Sequence, residues 1–338
     1  MTQSTQPTHL GTTRGRQAVV TFDAELTTSD AGAILLRRID DKLDVCGRLA
    51  RAIHDPRNPL FVIHPLVSLL RQRIFQIAMG WQDVNDSDWL RSDPAFKLAL
   101  HRLPASSLNL ASQTTLCRLE NWVTEADLDR CADALLDVYL AKHAGHKKRR
   151  LITLDADVTD ARTHGHQEQA AFNAYYGHTC YTPLLVFDGD TDDLIAVRLR
   201  PGFAGTGDGL LDELERIVPR LKAQWPKARI RLRVDGGFGW LGILAFCDRH
   251  GLEYVVGFQA TTTLQTMAAA DLAEAQVRAE DAGAMYQYFG SGTYQSEGWD
   301  RPRRVIWKAE AEPGDTDLRF VVTNLPANPR ALYKLYCR

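Results

Sequence analysis

The chain has 338 residues, 45% of them hydrophobic and 24% charged, with a formal net charge of −2, an ordinary globular composition with room for two or three units. No apolar run approaches the roughly 20 residues that span a bilayer, and the six scattered cysteines, without a C-x-x-C pair, argue against a zinc site or a disulfide scaffold and fit a reducing cytoplasm. Residues 1–150 hold 20 Lys and Arg against 17 Asp and Glu, and the remainder 20 against 25, a balance that permits nucleic acid as a partner without demanding it.

Residues 1–30 open with "MTQSTQPTHLGTTRGRQ", which lacks the apolar core of a secretory signal and reads as a disordered tail. From there the apolar positions Leu35, Leu36, Ile39, Leu43, Cys46, Leu49 and Ile53 predict one amphipathic helix, broken by "HDPRNP". Further helices are predicted over 66–79 and 96–100. Ser112 caps a short one, and Thr124 with Asp127 caps another through Leu128, Cys131, Leu135 and Val138. Short helices with interspersed arginines over residues 31–150 suit a DNA-binding module and a plain bundle equally. The region ends in the basic run Lys147, Lys148, Arg149 and Arg150, a pattern more often a solvated linker than a binding site.

At Leu151 the pattern turns to β. "LITLDADV" is a strand with Asp155 and Asp157 on one face and Ala156 and Val158 on the other. After a polar stretch, "CYTPLLVF" and "LIAVRLR" flank "DGDTDD" as a hairpin. "GDGLLDELERIVPRLKAQW" is a helix, "ARIRLRVD" a strand ending at Asp235, "WLGILAFCDRHG" a helix closed by Gly251, and "EYVVGF" a strand. This β-β-β-α-β-α-β order over residues 151–262 is that of an α/β ribonuclease-H-like core. Its first and fourth strands are neighbours, so Asp157 and Asp235 can share a metal ion. An Ala-rich helical connector between Thr261 and Gly283 leads into a β-rich insertion, residues 263–324. Residues 325–338 begin a last helix, with Asn328 as cap and Pro329 at its first position.

Two carboxylates side by side repel unless a cation or a proton lies between them, and Mg²⁺, which prefers oxygen ligands, is the natural partner. A plainer reading has one aspartate capping a turn and the other solvated. A sharper competitor is a phosphatase. The pattern D-x-D-x-T, here Asp155, Asp157 and Thr159, also opens the haloacid dehalogenase superfamily, with the first Asp as nucleophile. The predicted hairpin departs from the helix-linked parallel sheet which that fold requires. Asp235 is followed by two glycines that let the backbone turn sharply and approach a ligand, a weak signal strengthened by the strand order.

"GWQDVNDSDWLRSDPAFKLAL", "LASQTTLCRLEN", "LDADVTDARTHGHQE", "AYYGHTCYTPLLVF", "LIAVRLRPG", "RVDGGFG" and "LYKLYCR" occur in this order over roughly residues 70–338. Together they resemble the DDE transposases of bacterial insertion sequences, more narrowly the insertion-sequence thirteen-eighty group. The resemblance implies a helical DNA-binding region ahead of the ribonuclease-H-like core, and a β-rich insertion between the second and third acids. It also implies cut-and-paste strand cleavage and transfer with two Mg²⁺ ions, for which Mn²⁺ can substitute. Double-stranded DNA with terminal inverted repeats is the implied partner, bridged by a homodimer in the bacterial cytoplasm at the nucleoid, with no membrane involved.

By the family's D-x-T pattern Asp157 is the first acid, Asp155 its neighbour or substitute, and Asp235 the second. His164 is expected to position the DNA backbone near the metals. Arg118 and Asn121 are expected to touch DNA, Arg118 at a phosphate, with Lys147, Lys148, Arg149 and Arg150 as further contacts. The third acid of the family is a glutamate in a pattern of Tyr, two residues, Arg, three residues, Glu. Tyr336 fits the tyrosine, and the Arg and Glu then fall beyond Arg338. Glu297, Glu310 and Glu312 read as ordinary surface carboxylates. These 338 residues are therefore expected to be a truncated, catalytically impaired transposase, or a DNA-binding remnant that occupies element ends without cutting.

Overall fold

The computed structural model describes residues 8–13, 16–20, 26–145, 149–238 and 241–338 and divides the chain into two units, Met1–Lys142 and His143–Arg338. In the first unit, β1 (Thr8–Thr13) and β2 (Arg16–Val20) pair antiparallel. The described part of the expected tail is thus a hairpin, whose threonines and valines suit a pleated surface. The single helix expected from Leu35 to Ile53 is two, α1 (Gly32–Leu43) and α2 (Val45–Ala52), because Asp44 between them takes a left-handed φ of 54°. Short polar residues tolerate that conformation. Asp40 Oδ1 then accepts the Cys46 N–H at 2.8 Å as the chain restarts its helix.

Helices α3 (Leu66–Ala78), α4 (Ser87–Leu90), α5 (Pro94–Ala99), α6 (Gln113–Trp122) and α7 (Glu125–His143) complete the unit. Phe75, Leu90 and Phe96 pack with Ala33 and Cys46, and Leu69, Leu116 and Leu119 pack with Ile53 and Leu66. Before α7 the Thr124 hydroxyl donates to Asp127 Oδ2 at 2.6 Å and accepts the Asp127 N–H at 3.3 Å, a reciprocal cap that satisfies orphan donors of the first turn. Asp127 Oδ1 also accepts the His54 N–H at 2.8 Å, tying the residues after α2 to α7. The Thr124 hydroxyl, followed by the His54 and Thr124 amides, holds the Asp127 carboxyl well below the usual carboxylate range.

The second unit runs β3 (Leu151–Val158), β4 (Ala161–Arg162), β5 (Ala171–Asn173), β6 (His178–Tyr181), β7 (Leu184–Asp188), β8 (Asp193–Arg198), α8 (Leu210–Gln224), β9 (Arg229–Val234), α9 (Leu241–His250), β10 (Glu253–Phe258), α10 (Thr262–Ala282), β11 (Tyr286–Tyr294), β12 (Arg303–Glu312), β13 (Asp315–Thr323) and α11 (Pro329–Tyr336). One eight-stranded sheet has the order β11-β12-β13-β10-β9-β3-β7-β8. Within it β3, β9 and β10 are parallel neighbours, while β7 and β8 run antiparallel. Ile152, Leu154, Ile230, Leu232 and Val255 fill its interior.

Two features go beyond the sequence reading. The polar stretch after β3 folds into a second, three-stranded sheet, β4-β6-β5, whose strands are too short to show alternation. The strands of the β-rich region extend the main sheet, since β13 pairs antiparallel with β10, a pairing on which the sequence reading was silent. Neighbouring positions on β12 face opposite sides. Ala311 packs on Ala275 and Ala279 of α10, and Ile306 packs with Leu332 of α11, so the two helices cover opposite faces. Among the described residues no helix is long and apolar enough to cross a membrane.

Candidate active site

Strand β3 is buried from Ile152 to Leu154 and emerges at its C-terminal end, where Asp155 is half-buried and Asp157 exposed. The parallel register pairs Asp155 with Arg233 and Ala156 with Val234. The residues that directly follow this last pair are Asp157 and Asp235, both exposed. The Val158 N–H donates to Asp157 Oδ1 at 2.7 Å, and the Gly237 N–H donates to Asp235 Oδ1 at 2.9 Å, which fixes both side chains locally. Neither carboxylate forms an ion pair with any described residue.

Asp155 is engaged differently. Arg233 Nε donates to its Oδ1 at 2.7 Å, and Arg233 Nη2 donates to its Oδ2. The remaining Arg233 nitrogen, Nη1, donates to the Leu335 carbonyl of α11 at 2.9 Å. The two side chains are 12% and 26% exposed, and the bond to Asp155 pushes the guanidinium pKa up. The cation beside Asp155 is therefore an arginine, and both oxygens of this carboxylate are already taken. The sequence carried a signal for this in "RIRLRV", which stacks Arg229, Arg231 and Arg233 on one face of a central strand. Charges so placed need acidic partners. Glu253 takes Arg229 and Arg231, each at 2.6 Å, and Asp155 takes Arg233.

Helix α11 closes the third side. A Cβ on Gly257 would lie 2.5 Å from the Tyr336 hydroxyl and 2.6 Å from the Gly236 nitrogen, so the glycine makes room for Tyr336 against the Asp235 turn. Burial first, and the Asp235 charge second, push the Tyr336 phenol up. Asn328 caps α11 by accepting the Arg330 N–H at 2.9 Å, and the helix itself carries no carboxylate. Among the described residues no group of three or more His, Cys, Asp or Glu side chains is gathered as a metal site. The donors present are the carboxylates of Asp157 and Asp235, which have no ion-pair partner among the described residues. That set suits a hard divalent ion such as Mg²⁺, which commonly takes one or two protein carboxylates.

Residues 10–338 match the family described as transposase DDE domain, group 1. The chain belongs to this DDE transposase family. Among solved structures this DDE-domain chain matches a cryo-EM structure of the piggyBac transposase synaptic complex with hairpin DNA, at 10% identity and a TM-score of 0.40. The match covers 88% of this chain and 61% of the piggyBac chain, so the DDE-domain chain spans less than two thirds of that protein's length. No curated protein matches it.

The expected DNA contacts of the DDE-domain chain fall in different settings. Arg118 is exposed on α6 with no polar partner among the described residues. Asn121 turns back along the same helix and donates to the Cys117 carbonyl at 2.8 Å. His164 is exposed between β4 and β5, and Arg150 is exposed just before β3. Lys147 and Lys148 lie outside the described residues. Arg149 pairs at 2.6 Å with the fully buried Asp188 and lies over the Trp225 ring at 5.6 Å, so its guanidinium is engaged within the protein.

Arg200 was not foreseen. Buried, it donates to the carbonyls of Thr182 at 2.7 Å, Gly205 at 2.9 Å, Thr206 at 3.0 Å and Asp208 at 2.8 Å. It thereby shapes the loop after β8, whose Thr206 Cγ2 would lie 2.5 Å from a Cβ on Gly237. Nothing in "LIAVRLRPG" distinguishes this arginine from a surface one.

Proposed function

We propose that the chain is a DNA transposase of an insertion sequence, of the thirteen-eighty group, whose site for strand cleavage and transfer is built on Asp157 and Asp235. One observation carries this reading. In a DDE-family chain, the parallel register of β3 and β9 ends at Ala156 and Val234, immediately before two carboxylates that form no ion pair among the described residues. The order β8-β7-β3-β9-β10 supports a ribonuclease-H-like core.

Asp157 and Asp235 would hold Mg²⁺. A bound divalent ion supplies Lewis-acid polarisation of a phosphoryl oxygen and a more acidic water. Asp155 and Arg233 hold the two strands in register, and the engagement of both Asp155 oxygens argues against a phosphatase nucleophile at that position. Gly237 makes room for Thr206 behind Asp235, and Gly236 lies against the Gly257 backbone, so the turn that follows Asp235 is held closely by the protein itself. Arg118 is a phosphate contact for double-stranded DNA at terminal repeats, and a homodimer bridges two such ends.

The test uses linear duplexes carrying the ends of the encoding element, with binding followed by anisotropy and nicking measured in Mg²⁺. End-specific binding is expected, with nicking lost in Asp157→Asn and Asp235→Asn while binding persists. Absence of binding, or nicking indifferent to both substitutions, would overturn the proposal.

A further inference from the structure

The small sheet and the loop after β8 border the two carboxylates and are fastened to each other. The Tyr176 hydroxyl donates to the Val158 carbonyl at 3.2 Å, one residue from Asp157. Asn173 Oδ1 accepts the N–H groups of Tyr175 at 3.0 Å and Tyr176 at 3.4 Å, and its amide donates to the Gly202 carbonyl at 2.9 Å. Gly202 is itself pressed on β5, since a Cβ there would lie 2.7 Å from the Ala171 oxygen and 2.8 Å from its nitrogen. Four residues on, Thr206 packs against Gly237 behind Asp235. One held frame therefore reaches from Asp157 to Asp235.

On this frame three aromatic side chains face solvent: Phe172 at 66%, Tyr175 at 89% and Phe203 at 73% exposure. Phe172 and Phe203 follow Ala171 and Gly202, the two residues whose backbones meet. The Tyr175 ring is perpendicular to that of Tyr176, with centroids 5.0 Å apart and planes at 87°, and at 89% exposure most of its surface is open to a ligand. Rings exposed to this extent leave apolar area in water that a ligand would cover. The ligand brought to Asp157 and Asp235 is a phosphodiester, and what it carries beside the phosphate is a base with a π face.

We infer that Tyr175, flanked by Phe172 and Phe203, is a stacking platform for an unpaired base of the DNA end whose phosphate lies at Asp157 and Asp235. This rests on the DNA-cleavage reading of the site. Stacking of this kind is tolerant of sequence, because every base presents a π face, and loss of one ring costs about five- to 150-fold in affinity.

The test compares a fully paired duplex with the same duplex bearing a short unpaired 3′ tail that contains 2-aminopurine. The wild-type chain is expected to bind the tailed duplex more tightly and to quench the 2-aminopurine. Tyr175→Ala and Phe203→Ala should lose that preference by about five- to 150-fold, with duplex binding and melting temperature unchanged, while Tyr175→Phe keeps it. Tail preference and quenching that survive both alanine variants would overturn the platform and leave the DNA reading standing. Failure to bind either duplex would remove both. A change in self-association in Tyr175→Ala, with tail preference intact, would make the aromatic patch a contact between copies and overturn the inference.

Discussion

Replacing Arg233 by leucine separates a structural from a catalytic role for Asp155. The substitution removes two charged hydrogen bonds to Asp155 and the bond to the Leu335 carbonyl. Stripping one partner from a buried ion pair costs about 3–5 kcal/mol, because the other charge stays behind. Asp155 keeps 26% of its surface in water, which screens the leftover charge and brings the expected loss to about 2–3 kcal/mol. For a unit of 150–250 residues that is roughly 4–12 °C in melting temperature. Asp155→Asn keeps one acceptor and leaves the Leu335 bond in place, and should cost about 1–2 kcal/mol. The Arg233→Leu, Asp155→Leu double variant should recover part of the single-variant loss, a coupling of at least about 1 kcal/mol. Thermal unfolding by circular dichroism of these variants and of Asp157→Asn, with nicking measured in parallel, gives all the quantities. Asp157→Asn should abolish nicking without lowering the melting temperature. The reasoning is refuted if Asp155→Asn unfolds at the wild-type temperature and loses nicking as completely as Asp157→Asn does.

Other consequences are equally direct. Gly257→Ala drives a methyl group into the Tyr336 hydroxyl and the Gly236 nitrogen and should cost about 1–3 kcal/mol as an overpacked contact. Hydrogen exchange should show α11 loosened, and wild-type protection there would contradict the packing. Arg149→Ala leaves Asp188 without its guanidinium in a fully buried position and should lower stability by about 3–5 kcal/mol. Arg150→Ala, exposed, should stay within about 0.5 kcal/mol, and equal urea midpoints for the two variants would show that Arg149 is not structural. Asp127 titrates below its ordinary 3.8 in the folded chain, so the unfolded chain binds more protons across that interval and stability rises with pH. Its contribution is complete above the ordinary value and lost as pH falls through the depressed one. Urea midpoints from pH 7 to about pH 3 should therefore fall more steeply for wild type than for Asp127→Asn, and parallel profiles would refute the cap.

The neighbourhood of Asp157 and Asp235 was legible because the apolar residues of β3 and β9 each give way to an acid at the C-terminal end of the strand. Helix ends were legible where a side chain does the capping, as at Thr124 and Asn328, and where a glycine takes the left-handed turn, as at Gly251 with φ 63°. What escaped has no periodic signature. A single left-handed residue, Asp44, divides a helix whose apolar spacing continues across the break. Strands of two to four residues, such as β4, β5 and β6, are shorter than the alternation that would reveal them. The basic run before β3 looked uniform, yet it has a buried arginine followed by an exposed one, and only the antiparallel partner β7, ending at Asp188, decides which is which. Likewise, whether Asp155 faces a metal ion or an arginine depends on the residue 78 positions later, a separation at which local pattern is silent.

Helix α11 rests on Val255, Ile306 and Val321, which come from β10, β12 and β13. No two of these strands make its seat alone. The long excursion that follows β10 must first return and pair along β10 before the helix has anywhere to land. The wall that stands beside Asp235 thus depends on a pairing between residues 68 positions apart, Val255 with Thr323, although neither strand carries an acid of the site. Substitutions on β13 can therefore disturb the surroundings of Asp235 without touching it.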